Sequence, residues 1–213
     1  MRVIAIDGPA GSGKSTVARR VADRLGLDYL DTGAMYRAVT FAAIRRGIDP
    51  DDAELVAELS RALTLEVADT VTVDGVDATV EIRSPEVTRA VSTVAANPEV
   101  RRELVARQRE WAAARGGGVV EGRDIGNVVF PDAPIKVYLT ADDAERAARR
   151  SKEMLSLHYD QVAADIARRD HADSTRQASP LGVADDAVWL DTTSRPVDEV
   201  VEEVLALVTE RGA

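Results

Sequence analysis

Gly8-Pro9-Ala10-Gly11-Ser12-Gly13-Lys14-Ser15 satisfies the spacing G-x-x-x-x-G-K-[ST] in full. The chemistry this spacing supports is the holding of a nucleoside triphosphate. Glycines let a loop turn its backbone N–H groups inward around a phosphate. The helix opening at Lys14 aims its positive end at the same anion. Lys14 can reach the outer phosphates, and the Ser15 hydroxyl can ligate Mg²⁺. The triphosphate candidates are therefore Gly8, Pro9, Ala10, Gly11, Ser12, Gly13, Lys14, Ser15 and Thr16, the last in the first helical turn. Only two other lysines occur in the chain, Lys136 and Lys152.

A second phosphate facing the first would need several fixed cations. Arginine suits this, because its fork is bidentate and always charged. Candidates are Arg37 after DTGAMY, Arg101 at the start of a long helix, Arg123 in EGRD, and the group Arg146, Arg149, Arg150, Arg169 and Arg176. For any single one of these a solvated helix face is the plain alternative. Arg123 stands apart, between Glu121 and Asp124 at the carboxyl end of an expected strand, where open α/β sheets bind ligands.

The elements that must carry these residues follow an α/β rhythm. RVIAID (2–7) is a short apolar run stopped by the glycine-rich stretch, as a buried parallel strand would be. In 14–25, Val17, Ala18, Val21, Ala22 and Leu25 keep a helical spacing, and Gly26 ends it. A short strand in LDYLDTG, a helix over 34–46 and another over 51–63 come next. From residue 64 the pattern alternates around Asp74-Gly75, which signals a hairpin and a small inserted subdomain. Ser84 and Pro85 open a helix, Asn97-Pro98 breaks it, and a long helix runs from 98 to 115. GVVEGRD and PIKVYLT read as strands, 141–153 and 159–170 as helices, RRDHADSTRQASP as a polar, charged stretch, AVWLDTT as a last strand and 196–210 as a last helix.

Composition sets the outer limits. The 213 residues, 45% hydrophobic, suffice for one domain with an insertion and exclude a mostly disordered chain. The net charge of −10 and 8 aromatic residues speak against nucleic-acid binding, which needs a basic surface and stacking platforms. With no cysteine there is no disulfide framework, thiolate-held zinc or thiol nucleophile. No apolar run is long enough for a membrane helix, and the N-terminus lacks a signal-peptide pattern. A cytoplasmic protein is the expectation. No Asn-Lys pair exists to read guanine as a switch GTPase does.

IDGPAGSGKST, YLDTGAMYR, EGRDIGNVVFPDAPIKVYL and RRDHADSTRQASPL, in this order, resemble the bacterial-type cytidylate kinases, a family of P-loop nucleoside monophosphate kinases. The resemblance spans nearly the whole chain. It implies a P-loop NTPase three-layer α/β fold with a central parallel sheet, an inserted CMP-binding subdomain and a lid. Residues 1–213 would form one kinase domain, with a core of 1–63, 96–149 and 179–213, a nucleotide-monophosphate-binding insertion at 64–95, and a lid at 150–178. It implies transfer of the ATP γ-phosphoryl group to CMP or dCMP, giving CDP or dCDP, with Mg²⁺, by a monomer.

Carried over residue by residue, the resemblance makes Ser92, Arg101 and Asp124 the cytosine readers, and Arg37 and Arg123 ligands of the CMP phosphate. Asp173 becomes the ribose contact, with Arg169 and Arg176 beside it. Thr32 and Tyr36 line the same region, and Arg146 and Arg150 meet the ATP phosphates. Lys14, Arg123 and Arg169 are the expected catalytic set, with Glu121 holding a metal-bound water. Cytosine offers an N4 amino donor, whereas uracil presents a carbonyl there. Leaving a buried carboxylate such as Asp124 unpaired costs about 1–3 kcal/mol. The acceptor phosphate oxygen is already ionised, so His158 and His171 are expected on the surface without a catalytic role. The chain departs from the family pattern by a shorter Arg150–Asp170 stretch, and Asp170-His171-Ala172-Asp173 lacks an arginine that some members carry. Two alternatives stay open: another small-molecule P-loop kinase (adenylate, uridylate or shikimate type), and a nucleotide-dependent regulatory protein.

Overall fold

The computed structural model describes residues 1–153, 159–176 and 181–212. Strand β1 (Arg2–Asp7) leads through the glycine-rich loop into α1 (Lys14–Leu25). Then come β2 (Tyr29–Asp31), α2 (Thr32–Arg45) and α3 (Ala53–Ala62). Three short strands follow, β3 (Leu65–Val67), β4 (Val71–Val73) and β5 (Val76–Asp77), and then α4 (Pro85–Ala96) and α5 (Pro98–Arg115). The chain closes with β6 (Gly117–Gly122), β7 (Ile135–Thr140), α6 (Asp143–Glu153), α7 (Tyr159–Thr175), β8 (Val188–Asp191) and α8 (Val197–Glu210).

The central sheet has the order β2-β6-β1-β7-β8, and every pairing in it is parallel. Both faces are covered, which is why its strands are nearly continuous apolar runs rather than alternating ones. Successive side chains still point to opposite faces. Val3, Ala5, Leu30 and Val120 pack with α2, α3, α4 and α5 on one side. Ile4, Ile6, Val119, Val137 and Leu139 pack with α1 and α8 on the other. The result is a three-layer α/β/α core. Its register sets Ile6 beside Glu121 and Asp7 beside Gly122, so the glycine-rich loop and the EGRD segment leave the same edge of adjacent strands.

Local chemistry sets the element ends. The Asp31 carboxylate accepts the Ala34 N–H at 2.9 Å, so α2 starts at Thr32 rather than at 34. Ser84 and Asn97 cap α4 and α5, each followed by proline at the first helical position, where no N–H is needed. Asp74 and Gly75, at φ 50° and 76°, turn β4 into β5. With β3 these form a three-stranded antiparallel sheet. The alternating pattern stops short of Glu81–Arg83, which form a 3₁₀ turn.

The helix expected over 159–170 runs on into the polar stretch: α7 continues unbroken to Thr175. Its charges are satisfied from outside the helix, Asp173 by Arg123 and Asp170 by Arg146 and by the Ala10 N–H. Val162 and Ile166 supply the apolar anchor. Polarity here marks a helix face turned into a charged cleft rather than a loop. Of the expected lid, residues 154–158 and 177–180, including His158, lie outside the described residues.

Gly117 opens β6 at φ 141°, and a Cβ there would stand 2.0 Å from the Arg2 carbonyl oxygen. Neither backbone can give way without breaking the β1–β6 ladder. Gly117→Ala should therefore destabilise the fold by about 3 kcal/mol or more, read as a lower urea midpoint.

Candidate active site

One cleft of about 550 Å³ runs from the glycine-rich loop to the α4–α5 junction. At one end Gly13, at φ 83°, ends the loop without a side-chain cap, leaving the first N–H groups of α1 open to an anion. Gly11, at φ 75°, lies so close to α6 that a Cβ would sit 2.7 Å from the Arg146 carbonyl oxygen. Lys14 Nζ donates to the Pro9 carbonyl oxygen at 3.1 Å. Burial, reinforced by Arg123, holds the Lys14 ammonium below the usual lysine range. A nearby phosphate would reverse that push.

Beside it, Ser15 Oγ and Tyr29 Oη both donate to Glu121 Oε1 at 2.8 Å. Glu121 Oε2 is buried and has no hydrogen-bond partner among the described residues. Burial raises this carboxyl above the ordinary range, with Asp31 adding to the effect. A serine hydroxyl beside an orphaned carboxylate oxygen is a donor set suited to a hard divalent cation.

At the other end Arg101 and Asp124 form a buried ion pair. Arg176 lies 3.5 Å from the other Asp124 oxygen, and the Arg101 guanidinium stands 5.6 Å from the centre of the Tyr36 ring. Burial lifts the Asp124 carboxyl above its ordinary range, against Arg101 and Arg176. Ser92 and Ala95 complete this wall.

Arg123 joins the two ends. Its Nε donates to Asp173 at 2.9 Å and its Nη1 to the Gly8 carbonyl oxygen at 2.8 Å. Arg37 is braced by the Ile82 carbonyl oxygen at 3.0 Å and Thr88 Oγ1 at 2.9 Å, and Thr32 Oγ1 donates to the Glu121 carbonyl oxygen at 2.7 Å. Arg169 also lines the cleft, pushed down to about 10 by burial and by Arg123. Burial and Arg169 likewise lower Arg37. Burial and neighbouring cations thus disfavour the charges on Lys14, Arg37 and Arg169, which an anion in the cleft would offset.

The structure brings most of the sequence candidates to this cleft, with one exchange. Arg146 sits behind the loop rather than on the cleft wall, bonded to the Ala10 carbonyl oxygen at 3.0 Å and paired with Asp170. Asp170 in turn accepts the Ala10 N–H at 3.1 Å, so both polar groups of that peptide are held. The neighbouring Arg149 lines the cleft instead, donating to Thr192 Oγ1 at 2.8 Å and the Thr192 carbonyl oxygen at 2.7 Å. Arg150 lines it too. Arg146 and Arg149 are i,i+3 neighbours only about 60° apart around α6, so no signal in the sequence separated them. His171 is exposed.

Known proteins share the sequence and the fold of this chain. The family model described as cytidylate kinase matches residues 4–210. The cytidylate kinase of Mycobacterium leprae is 50% identical over 99% of this chain and 96% of its own. That of Geobacillus kaustophilus is 50% identical over 98% and 96%. Among solved structures, a sugar kinase from Janibacter sp. aligns with TM-score 0.54 at 18% identity, over 98% of this chain and 95% of its own. A gluconokinase from Sinorhizobium meliloti aligns with TM-score 0.53 at 17% identity, over 98% and 92%. These two agree in fold alone. With a phosphate loop at one end of the cleft, an arginine–carboxylate wall at the other and a family match over nearly all its length, this chain belongs to the cytidylate kinase family.

Proposed function

We infer that the protein phosphorylates CMP and dCMP with ATP, giving CDP and dCDP. The observation that carries this reading is Arg123, which touches both the phosphate loop and the Asp173 side of the cleft. ATP takes the loop, with Lys14, Ser15 and the α1 N-terminus around its β- and γ-phosphates. CMP takes the far end, its phosphate between Arg37 and Arg123, its ribose at Asp173, and its base against Ser92, Arg101 and Asp124. The acceptor oxygen is already ionised, so the side chains align reactants and offset charge rather than remove a proton. Lys14, Arg123 and Arg169 surround the transferring group. Ser15, with Glu121 through a water, would hold Mg²⁺, which offsets charge on the β- and γ-oxygens when bound.

The three-stranded sheet and α4 would serve as the CMP-side insertion of 64–95, and the segment 150–178, of which α7 is the main described part, as the lid. Water must be kept from the γ-phosphate, and closure of these parts would do so. The protein acts as a monomer in the cytoplasm. No described helix is long and apolar enough to cross a membrane.

A coupled ADP-release assay with Mg-ATP tests the reading. Turnover with CMP and dCMP should far exceed that with UMP and AMP, while equal rates with UMP would remove Asp124 as a base reader. Arg149 takes the place expected for Arg146 on the ATP side. Arg149→Ala should raise the KM for ATP by about tenfold, as for a lost charge-assisted contact, and leave that for CMP within twofold.

A further inference from the structure

The turn after Asp124 is a single π-helical turn, Ile125–Val129. Such turns are rare and cluster at functional sites. Its first N–H groups have no partner within the turn. Both are taken by one side chain from another strand: Asp7 Oδ1 accepts the Ile125 N–H and Oδ2 the Gly126 N–H, each at 2.8 Å. Asp7 is the last residue of β1 and is buried. The next residue, Gly8, accepts from Arg123. The Asp7-Gly8 pair thus braces residues 123, 125 and 126, on either side of Asp124, from the strand that feeds the phosphate loop.

Room for this clamp is tight. A Cβ on Gly126 would lie 3.1 Å from Lys136 Cδ and 3.5 Å from Asp7 Oδ2. The charge is also costly to keep, since burial pushes the Asp7 carboxyl up to about 6 against the pull of its two N–H bonds. An apolar residue would avoid that cost but could not accept two donors.

We propose that Asp7 is the positioning residue for cytosine selectivity, fixing the turn so that Asp124 meets the base edge before any nucleotide binds. Base discrimination by a buried carboxylate needs placement within a few tenths of an ångström, and that placement comes from the supporting bonds. The proposal rests on the reading of Asp124 as a cytosine contact.

Asp7→Asn is the test. The amide keeps one acceptor and sets an NH₂ against the other N–H. The KM for CMP should rise about tenfold and the CMP-to-UMP ratio of kcat/KM should fall by a similar factor, as for one buried donor left unpaired. The KM for ATP and kcat with CMP should stay within about threefold, since the lost bond orients the base reader and not the reacting groups. A general loss of packing would change both substrates alike and leave the ratio where it was, and an unchanged ratio overturns the proposal. If the wild-type enzyme itself uses UMP as well as CMP, the reading of Asp124 fails whatever Asp7 does. Hydrogen exchange on the wild-type enzyme gives a second readout that needs no variant. The Ile125 and Gly126 amides should exchange slowly with no nucleotide present. Fast exchange that slows only on adding CMP would show that the nucleotide, not Asp7, orders the turn.

Discussion

Lys14→Met should lower kcat by about 10³-fold or more, while leaving the melting temperature unchanged or higher. Two magnitudes of opposite sign decide the stability half. Among the described residues the side chain makes one hydrogen bond, to the Pro9 carbonyl oxygen, and losing it costs about 1 kcal/mol. Against this stands the burial of an ammonium beside Arg123 and Arg169, which Glu121 and Asp31 offset only in part, so that its proton affinity is depressed. Desolvating a charge costs several kcal/mol even after relaxation, so removing it offsets the lost bond. The catalytic half follows from the same environment. A cation held in a dry cleft before reaction is worth far more to developing phosphoryl charge than one in water. Thermal unfolding and the coupled assay on one preparation test both halves. Substantial turnover in the variant would remove Lys14 from the transfer step, and a large drop in melting temperature would mean that its main task is holding the loop.

How much of this was legible in the sequence depended on how local the determinants were. The strand–loop–helix opening was readable, because glycine spacing, Lys14 and the α1 periodicity all act within a few residues. So were the starts of α4 and α5, where Ser84-Pro85 and Asn97-Pro98 each carry a cap and a proline. The end of α7 was hidden, because Arg169, Asp173 and Arg176 break the apolar periodicity by facing the cleft, and their partners lie far away in sequence. The π-helical turn left no local signal either: its anchor, Asp7, is 118 residues upstream of Ile125. The exchange of Arg149 for Arg146 has the same origin. Both arginines are on α6, and only the packing of that helix against Ala10 and Thr192 decides which one braces the loop from behind and which faces the cleft. The parts read correctly were set by neighbours in sequence, and the parts missed were set by charge pairs that close only when the sheet brings its carboxyl edge together.

Arg123 is where those pairs converge, and its removal should be the most damaging change on the CMP side. Arg123→Ala should reduce kcat/KM for CMP by about 10³-fold, with the KM for ATP changed less than threefold, because the loop keeps Lys14 and the α1 N-terminus. Arg123→Lys retains the charge but cannot span Asp173 and the Gly8 carbonyl oxygen at once, so it should recover only part of the loss. The alanine variant also takes from buried Asp173 its hydrogen-bonded guanidinium, leaving the carboxylate only partly balanced by Arg169 and by Arg176 at 3.9 Å. A buried carboxylate of this kind costs about 3 kcal/mol. Adding Asp173→Asn to Arg123→Ala should therefore restore most of the lost stability and none of the lost turnover. That split separates two tasks of one guanidinium, balancing Asp173 in the free enzyme and meeting phosphate in the loaded one. If the double variant regained activity along with stability, Arg123 would act only as a strut for α7, and the bridging role between the two phosphate sites would fall to Arg169.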